Sequence, residues 1–161
     1  MNKAAKKFFE RYAESEVKQL TSFPSELMFE YAAVIPAYKE KPEFIQQFVQ
    51  VQARQHACLL VLVINQPEND VDSHPQAALF EYVHTLGTNS WQSRTSDRHP
   101  VNLTLVAIRN TSSAILVVDR FSQPLPENEG VGLARKIGAD ILSYLYCRQQ
   151  IKSPYLYSTD A

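Results

Sequence analysis

Short apolar runs alternate along the chain with stretches of helical periodicity. Residues 31–35 and 59–64 are almost uninterrupted apolar runs, which is typical of strands that are covered on both faces, and residues 155–158 predict the last strand. Apolar residues spaced three and four apart predict helices over about 3–20, 41–52, 75–86 and 130–149. Strands that alternate with helices favour a mainly parallel sheet.

Two further apolar runs predict a hairpin, and the stretch before them predicts a loop. Residues 103–108 and 114–118 flank the turn-forming residues 110–113, so we expect one antiparallel pair. Residues 88–100 are polar apart from Trp91 and predict a long exposed loop, and Gly87 predicts a left-handed cap on the preceding helix. The expected fold class is α/β, a three-layer Rossmann-like open sheet with helices on both faces.

Composition and charge narrow the class of protein. The 161 residues are 45% hydrophobic and 20% charged, which indicates one globular domain. The net charge of −1 argues against nucleic-acid binding, and no apolar run approaches the roughly 20 residues of a transmembrane segment. Cys58 and Cys147 lack metal-type spacing, so we expect a reducing, cytoplasmic location.

The first candidate ligand-binding segment follows the apolar run 31–35. Ligands of open parallel sheets bind beyond the carboxyl ends of the strands, where Pro36, Ala37, Tyr38 and Glu40 would lie. Pro36 restricts the backbone, Tyr38 offers a ring for stacking on a base, and Glu40 can accept hydrogen bonds. The alternative is that Pro36 and Tyr38 only shape a turn.

The second and third segments follow later strands. Asn65 and Gln66 come after residues 59–64 and offer amides to a base edge, or they form a polar loop without a ligand. The stretch 129–136 begins a helix with Gly130, whose free N–H groups suit phosphate. Arg135 can pair bidentately with phosphate, and Lys136 can act as a point charge. The alternative is that the glycines allow close packing and Arg135 is a solvated charge.

Asp160 is the candidate metal ligand, because it ends the last apolar run. Magnesium and manganese prefer oxygen ligands, usually one or two carboxylates together with substrate phosphates. The alternative is that Asp160 is an ordinary aspartate at a strand end. Asp119 is a rival strand-end acid, which we expect to be structural because Arg120 and a proline-marked loop follow it.

These segments, in their order along the chain, resemble the family 2-like glycosyltransferases of the GT-A fold. The matching patterns are Pro-x-Tyr-x-Glu within residues 34–40, Gly-Val-x-x-Ala-Arg-x-x-Gly over 130–138, and a strand that ends one residue short of Asp-x-Asp at 155–161. The resemblance spans about residues 31–161. In that family the second strand usually ends in paired aspartates, so the amides of Asn65 and Gln66 leave the base open.

The resemblance implies a metal-dependent transfer of a sugar from a nucleotide-sugar donor to an acceptor hydroxyl. It implies Mg²⁺ or Mn²⁺ at Asp160, and it leaves the acceptor and the catalytic base unassigned. Residues 1–24 would form an N-terminal helix and linker, and residues 25–161 the nucleotide-sugar-binding half. We expect the acceptor half to lie beyond residue 161 and this chain alone to be inactive. The alternative is a complete α/β module that binds a nucleotide or a protein without catalysis.

Overall fold

The computed structural model describes residues 1–161, which form one six-stranded sheet in the order β3-β4-β5-β2-β1-β6. The strands are β1 (Tyr31–Ala37), β2 (Cys58–Pro67), β3 (Gly87–Gln92), β4 (Asn102–Ile108), β5 (Ala114–Leu125) and β6 (Leu156–Ser158). The helices are α1 (Lys3–Arg11), α2 (Glu16–Gln19), α3 (Glu43–Gln47), α4 (Ala53–Gln55), α5 (His74–Thr85) and α6 (Gly130–Cys147). A 3₁₀ turn (Leu20–Ser22) follows α2, and a π-helical turn (Phe48–Gln52) joins α3 to α4.

Four neighbouring strands run parallel, as the apolar runs predict. β1 pairs with β2 and with β6, so that Val34 lies opposite both Val61 and Ser158. β2 pairs with β5 on its other side, where Leu62 lies opposite Val117. The α/β fold class is therefore confirmed, and the predicted strands 31–35, 59–64 and 155–158 share one sheet with their carboxyl ends at one edge.

Two apolar layers cover the sheet, one on each face. Alternate side chains of β2 divide between them: Leu59, Val61 and Val63 belong to a cluster of 23 buried residues that contains the apolar faces of α1, α2 and α6. Leu60, Leu62 and Ile64 belong to a cluster of 13 buried residues. Ile45, Leu79 and Val83 bring α3 and α5 into this second cluster. The sheet is thus the middle of three layers. None of the helices combines the length and the apolar character that a membrane-spanning helix needs.

The predicted loop over 88–100 is wrong in its first part, which forms β3. This strand pairs antiparallel with β4, and β4 pairs antiparallel with β5, so the sheet has two antiparallel pairs where one was expected. β3 is an edge strand whose side chains are mostly exposed, and it therefore lacks the apolar pattern that identifies a buried strand. Trp91 packs edge-on against Phe23, with ring centroids 5.2 Å apart.

Gly87 also differs from its predicted role as a left-handed cap. Leu86 follows the last turn of α5, and Gly87 is the first residue of β3 without a positive φ. A Cβ at this position would overlap the backbone carbonyl of Ala107 on β4. The glycine is therefore required by the close approach of two strands.

The single helix predicted over 3–20 is interrupted. α1 ends at Arg11, and α2 begins at Glu16. The intervening turn is fastened to α6, because the N–H of Glu14 donates to Asp140 Oδ2 (3.0 Å) and Lys136 donates to the carbonyl of Tyr12 (3.1 Å). Tertiary hydrogen bonds thus replace the helical ones that the local pattern predicts.

The last glycine of the 130–138 pattern sets the distance between α6 and β1. A Cβ at Gly138 would overlap the side chain of Val34, whereas a Cβ at Gly132 would meet no atom within 4 Å. Gly138 therefore allows close packing of helix against sheet, and Gly132 leaves open space at the helix start.

We predict opposite effects of alanine at these two glycines. Gly138→Ala forces Val34 or α6 to move and should lower the free energy of unfolding by about 1–3 kcal/mol. Gly132→Ala keeps that contact and raises helix propensity, so it should leave stability unchanged or raise it by up to about 1 kcal/mol. Urea unfolding of both variants checks this, and equal losses in the two would contradict the packing role of Gly138.

Candidate functional site at the carboxyl edge of the sheet

The loops that follow β1, β2 and β5 meet at the carboxyl edge of the parallel strands. The Asn69 amide donates to Glu127 Oε1 (2.6 Å), and the N–H of Glu68 donates to the carbonyl of Leu125 (2.9 Å). These contacts join the β2–α5 loop to the end of β5 and the loop that leads into α6. The edge is thus built from segments that are far apart in sequence.

Asp70 is the centre of a small charged cluster that the sequence reasoning missed. Its Oδ2 accepts from the hydroxyl of Tyr38 (2.7 Å) and from Lys39 Nζ (2.9 Å), and its Oδ1 accepts from the N–H of Asp72 (3.1 Å). The side chain of Asp70 is only 14% exposed. The available signal was an acid in the loop directly after a buried strand.

This cluster changes the protonation behaviour of its members. The hydrogen bond from Lys39, followed by that from Tyr38, lowers the pKa of Asp70 to about 2. The same hydrogen bonds to Asp70 raise the pKa of Tyr38 and of Lys39. Each pKa shift favours the same protonation state, in which Asp70 is ionised, Lys39 is charged and the phenol of Tyr38 is neutral.

The predicted residues around Tyr38 divide into buried and accessible groups. Pro36 and Ala37 are buried within β1 itself, whereas Tyr38 and Glu40 are exposed. The hydroxyl of Tyr38 donates to Asp70, but the residue as a whole is 38% exposed and remains accessible to a ligand. Lys39 adopts φ 57°, a left-handed conformation that is uncommon for residues other than glycine and occurs often at functional sites.

Asn65 and Gln66 lie within β2, although the sequence predicted them in the following loop. β2 continues to Pro67 because β5 pairs with it as far as Leu125. Both amides are buried, and Asn65 Oδ1 and Gln66 Oε1 accept no hydrogen bond. The pairing of β2 with β5 is irregular between Asn65 and Pro67, as in a β-bulge.

Gln66 is linked to the charged cluster, whereas Asn65 faces the α6 side of the sheet. Gln66 Nε2 donates to the backbone carbonyl of Asp70 (2.5 Å). Asn65 continues the alternation of Val61 and Val63, which belong to the cluster under α6. The unpartnered acceptor of Asn65 thus lies on the same side of the sheet as the helix start.

The start of α6 has the features of an anion-binding helix end. Glu129 provides no side-chain cap, and the N–H groups of Val131 and Gly132 donate to no acceptor in the chain. Gly130 has φ 33°. A Cβ at Gly130 or at Gly132 would meet no other atom within 4 Å, so the space in front of both residues is open. Unpaired N–H groups with open space in front of them suit a phosphate oxygen.

Arg135 and Asp160 form an ion pair at this edge. The N–H of Thr159 donates to the carbonyl of Val34 (3.3 Å), which places Asp160 beside the carboxyl end of β1. There the Arg135 guanidinium donates to Asp160 Oδ1, and the two side chains are 44% and 78% exposed. The structure thus brings the predicted phosphate ligand and the predicted metal ligand into contact.

The other predicted charges have structural partners. Lys136 lies between Glu14 Oε1 (2.6 Å) and Asp140 Oδ2 (2.8 Å). Asp119 Oδ1 accepts from the N–H groups of Phe121 and Ser122 and so closes the turn that follows it. No group of three or more histidine, cysteine, aspartate or glutamate side chains is arranged to bind a metal.

Comparisons of the chain with protein-family models, with curated proteins and with solved structures find no match. The chemistry of the carboxyl edge is therefore the basis for assigning a function to this chain. Two independent groups supply that chemistry, namely the cluster around Asp70 and the helix start with Arg135 and Asp160.

We predict that Asp70 makes the stability of the protein depend on pH in the acid range. Its pKa is about 2 in the folded chain and about 4 in the unfolded chain. The folded state therefore binds fewer protons between these values, and the contribution present above pH 4 is lost as the pH falls towards 2. Asp70→Asn should flatten this part of the stability profile.

Urea unfolding at a series of pH values measures this effect. Asp97→Asn is the matched control, because Asp97 is exposed and forms no ion pair, and it should keep the wild-type slope. If Asp70→Asn and wild type lose stability equally between pH 4 and 2, the cluster does not stabilise the Asp70 carboxylate.

Proposed function

We propose that this chain is the nucleotide-sugar-binding half of a metal-dependent, GT-A-like glycosyltransferase. The observation that carries the proposal is the contact of Arg135 with Asp160 beside the open start of α6. An arginine, free helix N–H groups and a carboxylate at one strand edge are suited to a diphosphate that is bridged by a divalent cation. The free thiols of Cys58 and Cys147 support a cytoplasmic location.

Each part of the donor would have its own contacts. The exposed ring of Tyr38 would stack on the base, and Glu40 would accept a hydrogen bond from the ribose or the base. The N–H groups of Val131 and Gly132 would donate to the diphosphate together with Arg135. The buried acceptor of Asn65 is a further candidate partner for a donor group of the nucleotide.

The residues at Asp160 fit a magnesium or manganese ion that takes most of its ligands from elsewhere. The Asp160 carboxylate is well exposed and faces Arg135. Such cations commonly use one or two carboxylates and complete their shell with phosphate oxygens and water. The bound ion would neutralise the charge that develops on the departing nucleoside diphosphate.

Ligand binding would exchange the partners of the ion pair between Arg135 and Asp160. Without ligand, Arg135 and Asp160 neutralise each other. When a diphosphate binds, Arg135 can pair with its oxygens, and the Asp160 carboxylate is then available to a cation. Diphosphate and cation should therefore bind cooperatively, each favouring the arrangement that the other needs.

The sugar, the acceptor and the catalytic base have no assigned residues in this proposal. A non-catalytic nucleotide-binding module remains the second candidate, because Asp160 stands without further metal-ligating side chains. Binding that is strong without a cation and unchanged by its addition would favour the module.

We predict that Arg135→Ala weakens the binding of UDP or GDP about ten- to hundred-fold. A well-formed, charge-assisted hydrogen bond contributes about 1.5–3 kcal/mol, and every 1.4 kcal/mol is about tenfold in affinity. Titration calorimetry with each nucleoside diphosphate, with and without Mn²⁺, measures the change. Arg54→Ala is the matched control, because Arg54 lies at the opposite edge of the sheet beside the start of β2, and it should bind like wild type.

The same titrations separate the metal from the phosphate contacts. Asp160→Asn should remove most of the gain in affinity that Mn²⁺ gives. It should leave the metal-free affinity unchanged or slightly raised, because Arg135 then has no competing carboxylate. Equal affinities of wild type and Arg135→Ala would show that the helix start is a packing feature and not a phosphate site.

A further inference from the structure

Two polar cavities meet at Arg94, on the β3–β4–β5 side of the sheet, which β2 separates from β1. The larger has a volume of about 620 Å³ and lies between the ends of β3 and β5 and the start of β4. Pro100 is its only apolar lining residue. The smaller has a volume of about 410 Å³, is bordered by α2 and the turn after it, and shares Arg94.

The larger cavity has a rigid wall of hydrogen-bonding groups. Asp119 and Ser93 are 92% and 94% buried. The Asp119 carboxylate uses Oδ1 for the turn after β5, and its Oδ2 makes no hydrogen bond. Ser93 Oγ accepts from the N–H of Leu103 (3.0 Å), which leaves its hydroxyl proton to donate. Gln92 and Asn102 on the same wall fix each other through a hydrogen bond of 2.9 Å between their amides.

The smaller cavity is rich in cationic and unpartnered groups. Arg94 and Lys18 line it, and neither side chain forms an ion pair or a hydrogen bond within the chain. Gln19 is 93% buried, and neither its Oε1 nor its Nε2 has a partner. His99 also lines this cavity with its Nδ1 buried and unpartnered, and reciprocal backbone hydrogen bonds with Ser96 (3.1 and 2.9 Å) hold it in a closed turn.

A buried ion pair joins the two cavities into one structure. Glu16 at the start of α2 is fully buried and accepts from Arg120 Nε (2.7 Å), the residue after Asp119. This contact fixes α2, which carries Lys18 and Gln19, against the strand end that carries Asp119. The positions of the cationic and the carboxylate parts are thereby coupled.

We propose that the joined cavity binds an anionic saccharide. Vicinal hydroxyls suit the Asp119 carboxylate, the Ser93 hydroxyl and the fixed amides, because each hydroxyl both donates and accepts. An anionic substituent suits the other end, where the exposed Arg94 and Lys18 lack counter-ions and the buried Gln19 Nε2 is a donor without a partner, which is costly to leave unpaired. A neutral sugar would use only the first part, and a free inorganic anion only the second.

Titration calorimetry of the full chain with a panel of hexose phosphates and hexuronates tests this proposal. Glucose and inorganic phosphate are the comparison probes. At least one anionic saccharide should bind ten-fold or more tightly than either comparison probe. If none does so, the proposal is overturned.

Two substitutions distinguish the two halves of the cavity. Arg94→Gln should abolish the preference for the anionic saccharide over the neutral sugar, a loss of about ten-fold or more. Asp119→Asn keeps an acceptor oxygen for the turn, and it should abolish the preference over inorganic phosphate instead. Ser122→Ala, on the same wall, gives a milder second test of the sugar end if Asp119→Asn lowers the melting temperature.

The control is Arg98→Gln, which removes the same charge from the same loop at a residue that lines neither cavity. It should bind the saccharide like wild type. Arg94→Gln should also leave the affinity for UDP or GDP unchanged, so this site can fail or stand independently of the nucleotide site. Equal saccharide affinities of Arg94→Gln and Arg98→Gln would overturn the role of Arg94.

Discussion

Parallel pairing of β2 with both β1 and β5 determines where each candidate ligand group of this chain lies. β2 is buried along nine of its ten residues, and its residues 59–64 pair in register with a parallel strand on either side. Because parallel strands need crossover connections, the chain returns through helices between β1 and β2 and between β5 and β6, and through α5, β3 and β4 between β2 and β5. The loops with Tyr38, with Asp70 and at the start of α6 are therefore neighbours in space.

The central part of this fold could be predicted from the chain, because buried parallel strands are apolar throughout. The hairpin of β4 and β5 could be predicted for the same reason, because the paired parts of both strands are buried and mostly apolar. β3 was not, since an edge strand needs no apolar face and its polar residues resemble a loop. Gly87 was misassigned because a glycine after a helix suits both a left-handed cap and a close strand contact, and only the position of Ala107 decides between them.

The sequence predicted only those parts of the candidate site that depend on a single segment of the chain. The sequence predicted the loop after β1, the start of α6 and Asp160, because each lies directly at the end or the start of a predicted element. The topology of the sheet then brings them to one edge. The partners of these residues do not: Asp70 is 32 residues from Tyr38, and Glu16 is 104 residues from Arg120. Such pairs depend on how distant segments pack, which neither periodicity nor spacing reports.

The fastening of the N-terminal segment has a consequence for the order in which the chain folds. Its hydrogen bonds with Arg120, Lys136 and Arg148 all span more than 100 residues. During synthesis from the N-terminus, the first helices must wait until β5 and α6 have been made, and contacts of such long separation slow folding. Phe9, Val17, Leu20 and Phe23 remain without their core partners for that time. The segment with α1 and α2 is thus synthesised before its partners and is among the last to reach its place, so its apolar side chains need protection from aggregation in the meantime.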